Sequence, residues 1–250
     1  MKTDDDKIIL SRFLDLRDRA HDTYSFWYSQ FHSLHQASLA YSAAQDNEIK
    51  LYGGYEGCER VIVRFGNERL ISYEEEFPIT LIVIRPKAPK FADKLTHRDY
   101  LGAILNLGID RSMIGDIIVK DNIAYVFVLD TIANFIVDSL SRVKHTSIVS
   151  EISKDIPKEA RVSLKPCEIT VSSERLDAII AKLFHLSRND ARSLFMKEAV
   201  FADGKTVVNA AKIPADDTVI SVRGYGKFIF RGMISETRKK RIRVLVEVYS

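Results

Sequence analysis

The sequence predicts an α+β protein, on three observations. A helical hydrophobic pattern opens the chain at Ile8, Ile9, Phe13 and Leu16. The middle reads β-α-β-β-α-β. The end combines two short amphipathic helices with short strands and tight turns. At 250 residues, 46% hydrophobic and 28% charged, the chain is long enough for two or three modest cores. The expected division is an α+β region over 1–76, a central domain over 77–155, a linker over 156–171 and a last module over 172–250.

In the first region the aromatics Tyr24, Phe26, Trp27, Tyr28 and Phe31 lie in a stretch without Lys or Arg between Asp22 and Glu48. A stacking platform for nucleic acid needs cations beside its rings, so these are expected in the core. A glycine-rich turn, Leu51 to Arg60, joins strand-like segments at 48–52 and 60–65. It lacks the Gly-Lys-Ser/Thr ending of a phosphate-cradling loop.

The central elements are a strand at Ile79–Ile84, a helix near His97–Leu107, strands at Ile114–Val119 and Ile123–Leu129, a helix near Thr131–Val143 and a strand near Thr146–Ile152. Ile132, Phe135, Ile136 and Leu140 give the second helix its apolar stripe. This is the order of the ferredoxin-like sandwich used by RRM-type RNA binders. Tyr125 and Phe127 share one face of the third strand, where such domains carry stacking rings. The preceding Asn122, Ile123 and Ala124 depart from the basic-Gly-aromatic signature, so core packing is expected for both. Arg85, Lys87, Lys90, Lys94 and Arg98 form a basic connection interrupted by Pro86 and Pro89. They are candidate RNA contacts, with a solvated loop as the alternative. Residues 153–170, with Pro157 and Pro166, read as a linker or a short connecting strand.

Charge is uneven. Residues 1–170 hold 22 Lys+Arg against 25 Asp+Glu, a net −3; residues 171–250 hold 15 against 9, a net +6. Polyanion binding needs clustered positive charge, which places it at the end of the chain. There Ser173 is expected to cap a helix over 173–184, with Leu176, Ile179, Ile180 and Leu183 on its apolar stripe. Ser187 caps a second helix, with Asp190 three residues on and Ala191, Leu194 and Phe195 facing inward. Arg188 and Arg192, four apart, project from one side as a phosphate grip, or as an ordinary solvated face. A tight turn at Asp203-Gly204 and a strand at Val219–Val222 follow.

Arg175-Leu176-Asp177, Ser187-Arg188 with Ala191, Val200, Gly204 and Asp217 before an apolar strand resemble the S4 RNA-binding domain. Asp203 stands where that family commonly has asparagine, and Asp216 where it commonly has glycine. Residues 95–119, the turn from Leu51 to Arg60, the Arg223–Phe228 segment and residues 237–244 are together similar to the YlmH family of Gram-positive bacteria, over nearly the whole chain. That resemblance implies an N-terminal region, a central RNA-binding domain and a C-terminal S4 domain. It also implies a place in ribosome-associated quality control, with rRNA of the large ribosomal subunit and tRNA as partners, and a link to cell division.

Enzyme classes find little footing. The Arg175-Leu176-Asp177 triplet has the local form of a pseudouridine synthase aspartate, but the downstream Ser187-Arg188 assigns it to the S4 helix start. Gly53-Gly54 and Gly102 to Gly108 lack the spacing of a methyltransferase cofactor turn. His97-Arg98-Asp99 matches a kinase triplet in letters alone. His32 and His35 lie three apart without Cys or carboxylate in a recognised ligand spacing, so no metal and no cofactor is expected. Cys58 and Cys167 form no disulfide framework, the start lacks a secretory pattern and no long apolar run occurs, so a cytoplasmic protein is expected. The expected RNA surface is Arg175, Lys182, Arg188, Arg192, Lys197, Lys205, Arg223, Lys227 and the cluster Arg238, Lys239, Lys240, Arg241 and Arg243. Arg241 and Arg243 alternate with Ile242 and Val244 and serve equally as the wet face of a strand. The competing class is a protein-interaction adaptor in cell division, followed by an S4-bearing RNA-modifying enzyme.

Overall fold

The computed structural model describes residues 4–44, 48–67, 71, 75–155, 164–237 and 240–249. The chain divides into two compact units, Met1–Arg161 and Val162–Ser250. No helix among the described residues is long and apolar enough to cross a membrane.

The first unit begins with α1 (Asp4–Thr23), whose three leading aspartates sit at the positive end of the helix dipole. β1 (Trp27–Tyr28), β2 (His32–Ser33), α2 (Leu34–Ser38), β3 (Ile49–Tyr52) and β4 (Arg60–Phe65) follow. β1, β2 and β3 each pair antiparallel with β4. Side chains alternate across a strand, so Val61, Val63 and Phe65 of β4 join Ile9 and Phe13 in one core while Ile62 faces the other way.

Next come β5 (Ile79–Pro86), α3 (His97–Leu105), β6 (Ile114–Lys120), β7 (Ile123–Leu129), α4 (Asp130–Ser139), β8 (Arg142–Val143) and β9 (Thr146–Ser153). The sheet order is β6-β7-β5-β9-β8, antiparallel throughout. On one face Ile82, Ile84, Ala124, Val126 and Val128 pack beneath Tyr100 and Ile104 of α3 and Ile132 and Ile136 of α4. On the other, Leu81, Val83, Tyr125 and Phe127 pack on Phe31 and Ile62. β5 and β7 are therefore buried on both faces, which is why their sequences read as unbroken apolar runs rather than alternating ones. Residues before and after position 77 share this core. Tyr125 and Phe127, at 7% and 2% exposure, are packing residues, and the sheet face used by RRM-type binders is covered.

The glycine-rich turn belongs to the same contact. Asp116 accepts hydrogen bonds from the Tyr55 hydroxyl (2.8 Å) and from the N–H groups of Glu59 (2.6 Å) and Arg60 (3.1 Å). Arg60 in turn donates to the carbonyls of Ile114, Phe31 and Arg111. Gly54 has φ +101°, and a Cβ there would lie 2.3 Å from the Phe127 ring. A Cβ on Gly115 would come within 2.6 Å of Phe31. The turn is a latch between layers.

The second unit comprises β10 (Leu164–Val171), α5 (Leu176–Leu183), α6 (Arg188–Met196), β11 (Val200–Ala202), β12 (Lys205–Thr206), β13 (Thr218–Val222), β14 (Gly226–Glu236) and β15 (Ile242–Tyr249). Its sheet runs β10-β15-β14-β13-β11-β12. Val222, Phe228, Phe230, Val244 and Val246 share a core with Leu176, Ile179, Ile180, Leu194 and Phe195, so both helices lie on one face.

Several boundaries differ from expectation. Residues 164–171, read as linker or connecting strand, are a full strand paired along its length with β15. α5 starts at Leu176 with Arg175 as N-cap residue rather than Ser173, because the Leu176 and Asp177 N–H groups are taken by the carbonyls of Lys212 and Ala210. α4 ends at Ser139, since Arg142 and Val143 leave to pair with β9 across a turn at Lys144, φ 51°. His32 packs edge-on to Phe13, and His35 lies 3.8 Å from Asp6.

Candidate nucleic-acid interface

α6 is capped by Ser187, whose hydroxyl accepts the Asp190 N–H at 3.1 Å. Ala191, Leu194 and Phe195 bury one side of this helix, which turns Arg188 and Arg192 outward together. Both reach the same acceptor, Asp177 on α5, whose side chain is fully buried. Arg188 Nη2 donates to Asp177 Oδ2 at 2.9 Å and Arg192 Nε at 3.0 Å, while Arg175 bridges both carboxylate oxygens at 3.1 and 3.2 Å. Arg188 Nη1 also donates to the Ser172 hydroxyl at 3.0 Å.

Burial alone would raise the Asp177 carboxyl pKa, but the hydrogen bonds from Arg192, Arg188 and Arg175 outweigh it and hold the pKa below the ordinary 3.8. Three guanidiniums around one carboxylate leave a local charge of +2. Arg192 uses only Nε, so its Nη groups have no partner among the described residues, and the three arginines remain 36–52% exposed. Donors held in place by a buried acceptor are suited to phosphate oxygens, because little side-chain entropy is left to lose.

The other expected residues do not all join this cluster. Lys182 and Lys197 are exposed on the helical segment, at α5 and just after α6. Lys205 is exposed on β12, and Arg223 lies over the Phe201 ring at 5.7 Å. Lys227 is only 6% exposed, which removes it from any RNA surface. Its position on β14, next to the core residue Phe228, turns it onto the sheet face away from the helices. Arg243 alternates with buried Val244, lies on that far face and pairs with Glu168. Arg231, on the same strand face as Lys227, is likewise engaged by Asp217 and Glu247. The single continuous basic surface expected from sequence is thus divided, and carboxylates interleave its sheet side. Lys240 and Arg241 are exposed in the turn before β15; Arg238 and Lys239 lie outside the described residues.

In the first unit Arg85 pairs with Glu151 at 2.6 Å, whereas Lys87, Lys90, Lys94 and Arg98 are exposed. Cys58 and Cys167 are not joined in a disulfide.

Residues 73–155 match a family model described as "Putative RNA-binding domain in YlmH". The chain is 26% identical over 212 residues to "Ribosome-associated protein quality control protein P2" of Bacillus subtilis (strain 168), covering 83% of this chain and 80% of that protein. Both matches support a relation to the YlmH family. A solved structure, "Cell division protein ylmH from Streptococcus pneumoniae", has 24% identity and a TM-score of 0.49, covering 61% of this chain and 93% of that one. The YlmH domain model and the Bacillus relative support an RNA-binding role.

Asp177, counted in the sequence only as part of the Arg175-Leu176-Asp177 motif, is the acceptor that gathers the three arginines. Its signal was present: an Arg-x-Asp at a helix start, followed by an i, i+4 arginine pair.

Proposed function

We infer that this chain is a cytoplasmic, non-catalytic RNA-binding protein that holds structured RNA, rRNA of the large ribosomal subunit or tRNA, in ribosome-associated quality control. The observation that carries this reading is the arginine triad on buried Asp177, a preorganised site of charge +2 at the start of two helices. Helix-borne arginines suit A-form RNA, whose backbone and wide minor groove are reachable while its deep major groove is not.

The residue pattern of the second unit supports an S4-type module. In the first unit, strand order β9-β5-β7-β6 is the fourth-first-third-second arrangement of a ferredoxin-like β-α-β-β-α-β domain, which supports an RRM-like scaffold. Lys182, Lys197, Lys205, Arg223, Lys240 and Arg241 are the remaining candidates in the second unit, with Lys87, Lys90, Lys94 and Arg98 in the first.

The test is affinity capture of the full chain from lysate, with and without nuclease. Ribosomal RNA that is retained by the parent and released on Arg188→Glu with Arg192→Glu supports the reading. A nuclease-resistant protein partner unaffected by that change would instead favour the division adaptor, and altered RNA nucleosides in a deletion strain would favour an enzyme.

A further inference from the structure

The connection between β5 and α3 carries an aromatic ring that packing does not explain. Phe91, at the end of a short turn begun by Pro89, is 90% exposed. Isolated exposed apolar residues are ordinary on protein surfaces, so exposure alone decides nothing. The surroundings do. Lys87, Lys90 and Lys94 are all exposed and have no ion-pair partner among the described residues. Asp93, the one acid within that stretch, is occupied: its carboxylate accepts the His145 N–H and the Thr146 hydroxyl, both at 3.1 Å.

The segment is also held in shape from both sides. The Asp93 N–H donates to Thr146 Oγ1 at 2.9 Å, and the Lys87 N–H donates to the Ser147 carbonyl. Asn122, in the turn between β6 and β7 with φ 64°, accepts the Leu95 N–H at 2.7 Å and donates to the Asp93 carbonyl at 2.8 Å. Lys144 pairs with Asp99 at 2.9 Å one turn into α3. Two neighbouring connections at one end of the sheet, β6–β7 and β8–β9, thus fix the loop and leave Phe91 and its lysines outward.

We propose that Phe91 stacks on an unpaired RNA base while Lys87, Lys90 and Lys94 hold the flanking phosphates, making this loop a single-strand binding site. The proposal rests on the RNA-binding reading above and adds a substrate class to it. RRM-type domains stack bases on the sheet face; here that face is closed by Phe31 and Ile62, so a ring for stacking has to be offered elsewhere. Every base presents a π face and every linkage a phosphate, so an aromatic flanked by unpaired lysines binds single strands with little sequence preference. In a duplex the bases are already stacked on one another, and the ring gains nothing.

The test uses the full chain and two labelled RNAs, an unstructured strand of about ten nucleotides and a fully paired hairpin, read by fluorescence anisotropy. Phe91→Ala, which removes a solvent-exposed ring and disturbs no core, is expected to weaken single-strand binding about 5- to 100-fold. Hairpin affinity should stay within about twofold. Phe91→Trp should keep the affinity and show emission quenched by the strand. Unchanged single-strand affinity in Phe91→Ala, or an unquenched tryptophan, overturns the stacking site while leaving hairpin binding and the wider reading intact. Binding to neither RNA by the parent overturns both. A nuclease-resistant protein partner that Phe91→Ala no longer captures would make the ring a protein-docking residue and would also overturn the proposal.

Discussion

Asp177→Asn is the sharpest probe of the arginine cluster, because it keeps the side chain's size and removes its charge. The fully buried carboxylate accepts four N–H groups at 2.9–3.2 Å. Removing one partner of a buried ion pair costs about 3–5 kcal/mol. The guanidiniums here are 36–52% exposed and regain water, and exposed pairs are worth less than about 1 kcal/mol. An intermediate loss of about 2 kcal/mol follows, about thirtyfold in the opening equilibrium. Amide hydrogen exchange of α5, where Ile179 and Ile180 are fully buried, reads this directly. Exchange within about threefold of the parent would refute the view that Asp177 organises the site. The sign of the pH effect is also set. A carboxyl whose folded pKa is lowered contributes stability above the unfolded value and loses it as pH falls through the folded one. The difference between parent and variant should therefore persist down to about pH 3.8 and narrow below it, as followed by urea unfolding.

Other expectations can be checked in parallel. Arg188→Glu with Arg192→Glu should weaken RNA binding and flatten its log–log salt dependence by about 2, one for each phosphate no longer neutralised, measured by anisotropy across a salt series. Asp116→Ala removes three hydrogen bonds from the Leu51–Arg60 turn and should destabilise the first unit by about 2–3 kcal/mol in urea unfolding; a change below about 0.5 would sink the latch. Gly115→Ala places a methyl 2.6 Å from Phe31 and should cost about 1–3 kcal/mol by the same assay. Burial, with the Arg60 and Arg12 charges, lowers the His32 pKa to about 4. The unfolded chain then binds the extra proton first, so stability falls as pH drops from about 6.5 toward 4, and an NMR titration of His32 should show its midpoint near 4.

Local signals in the sequence were read well where hydrogen bonding is local. Ser187 caps α6 as its S-x-x-D spacing requires, and the turn at Asp203-Gly204 has both residues at positive φ. The central element order and the core role of Tyr125 and Phe127 also follow from period and composition. What failed depended on distant partners. Ser173 looks like a cap, but carbonyls about thirty-five residues away at Ala210 and Lys212 fill that role. Residues 164–171 carry Lys165, Pro166 and Glu168 among apolar residues, and become a strand because β15 supplies a partner. Lys227 and Arg243 counted as positive charge in the sequence, yet strand alternation places them opposite the helices. The apolar runs of β5 and β7 are the mark of two covered faces, but the expected division at 76/77 did not draw from them that residues before 77 supply the second layer.

That doubly covered sheet bears on how the molecule can be dissected. A fragment cut to residues 73–155 would expose Leu81, Val83, Tyr125 and Phe127 as a contiguous greasy surface, forfeiting about 1.5–3 kcal/mol for each side chain. Such a piece would self-associate, and RNA sticking to its bared rings would mimic the behaviour of an open RRM. During synthesis the same logic applies in time: α1 and β4 leave the ribosome first and must wait for a sheet whose central strands are complete only about sixty residues later.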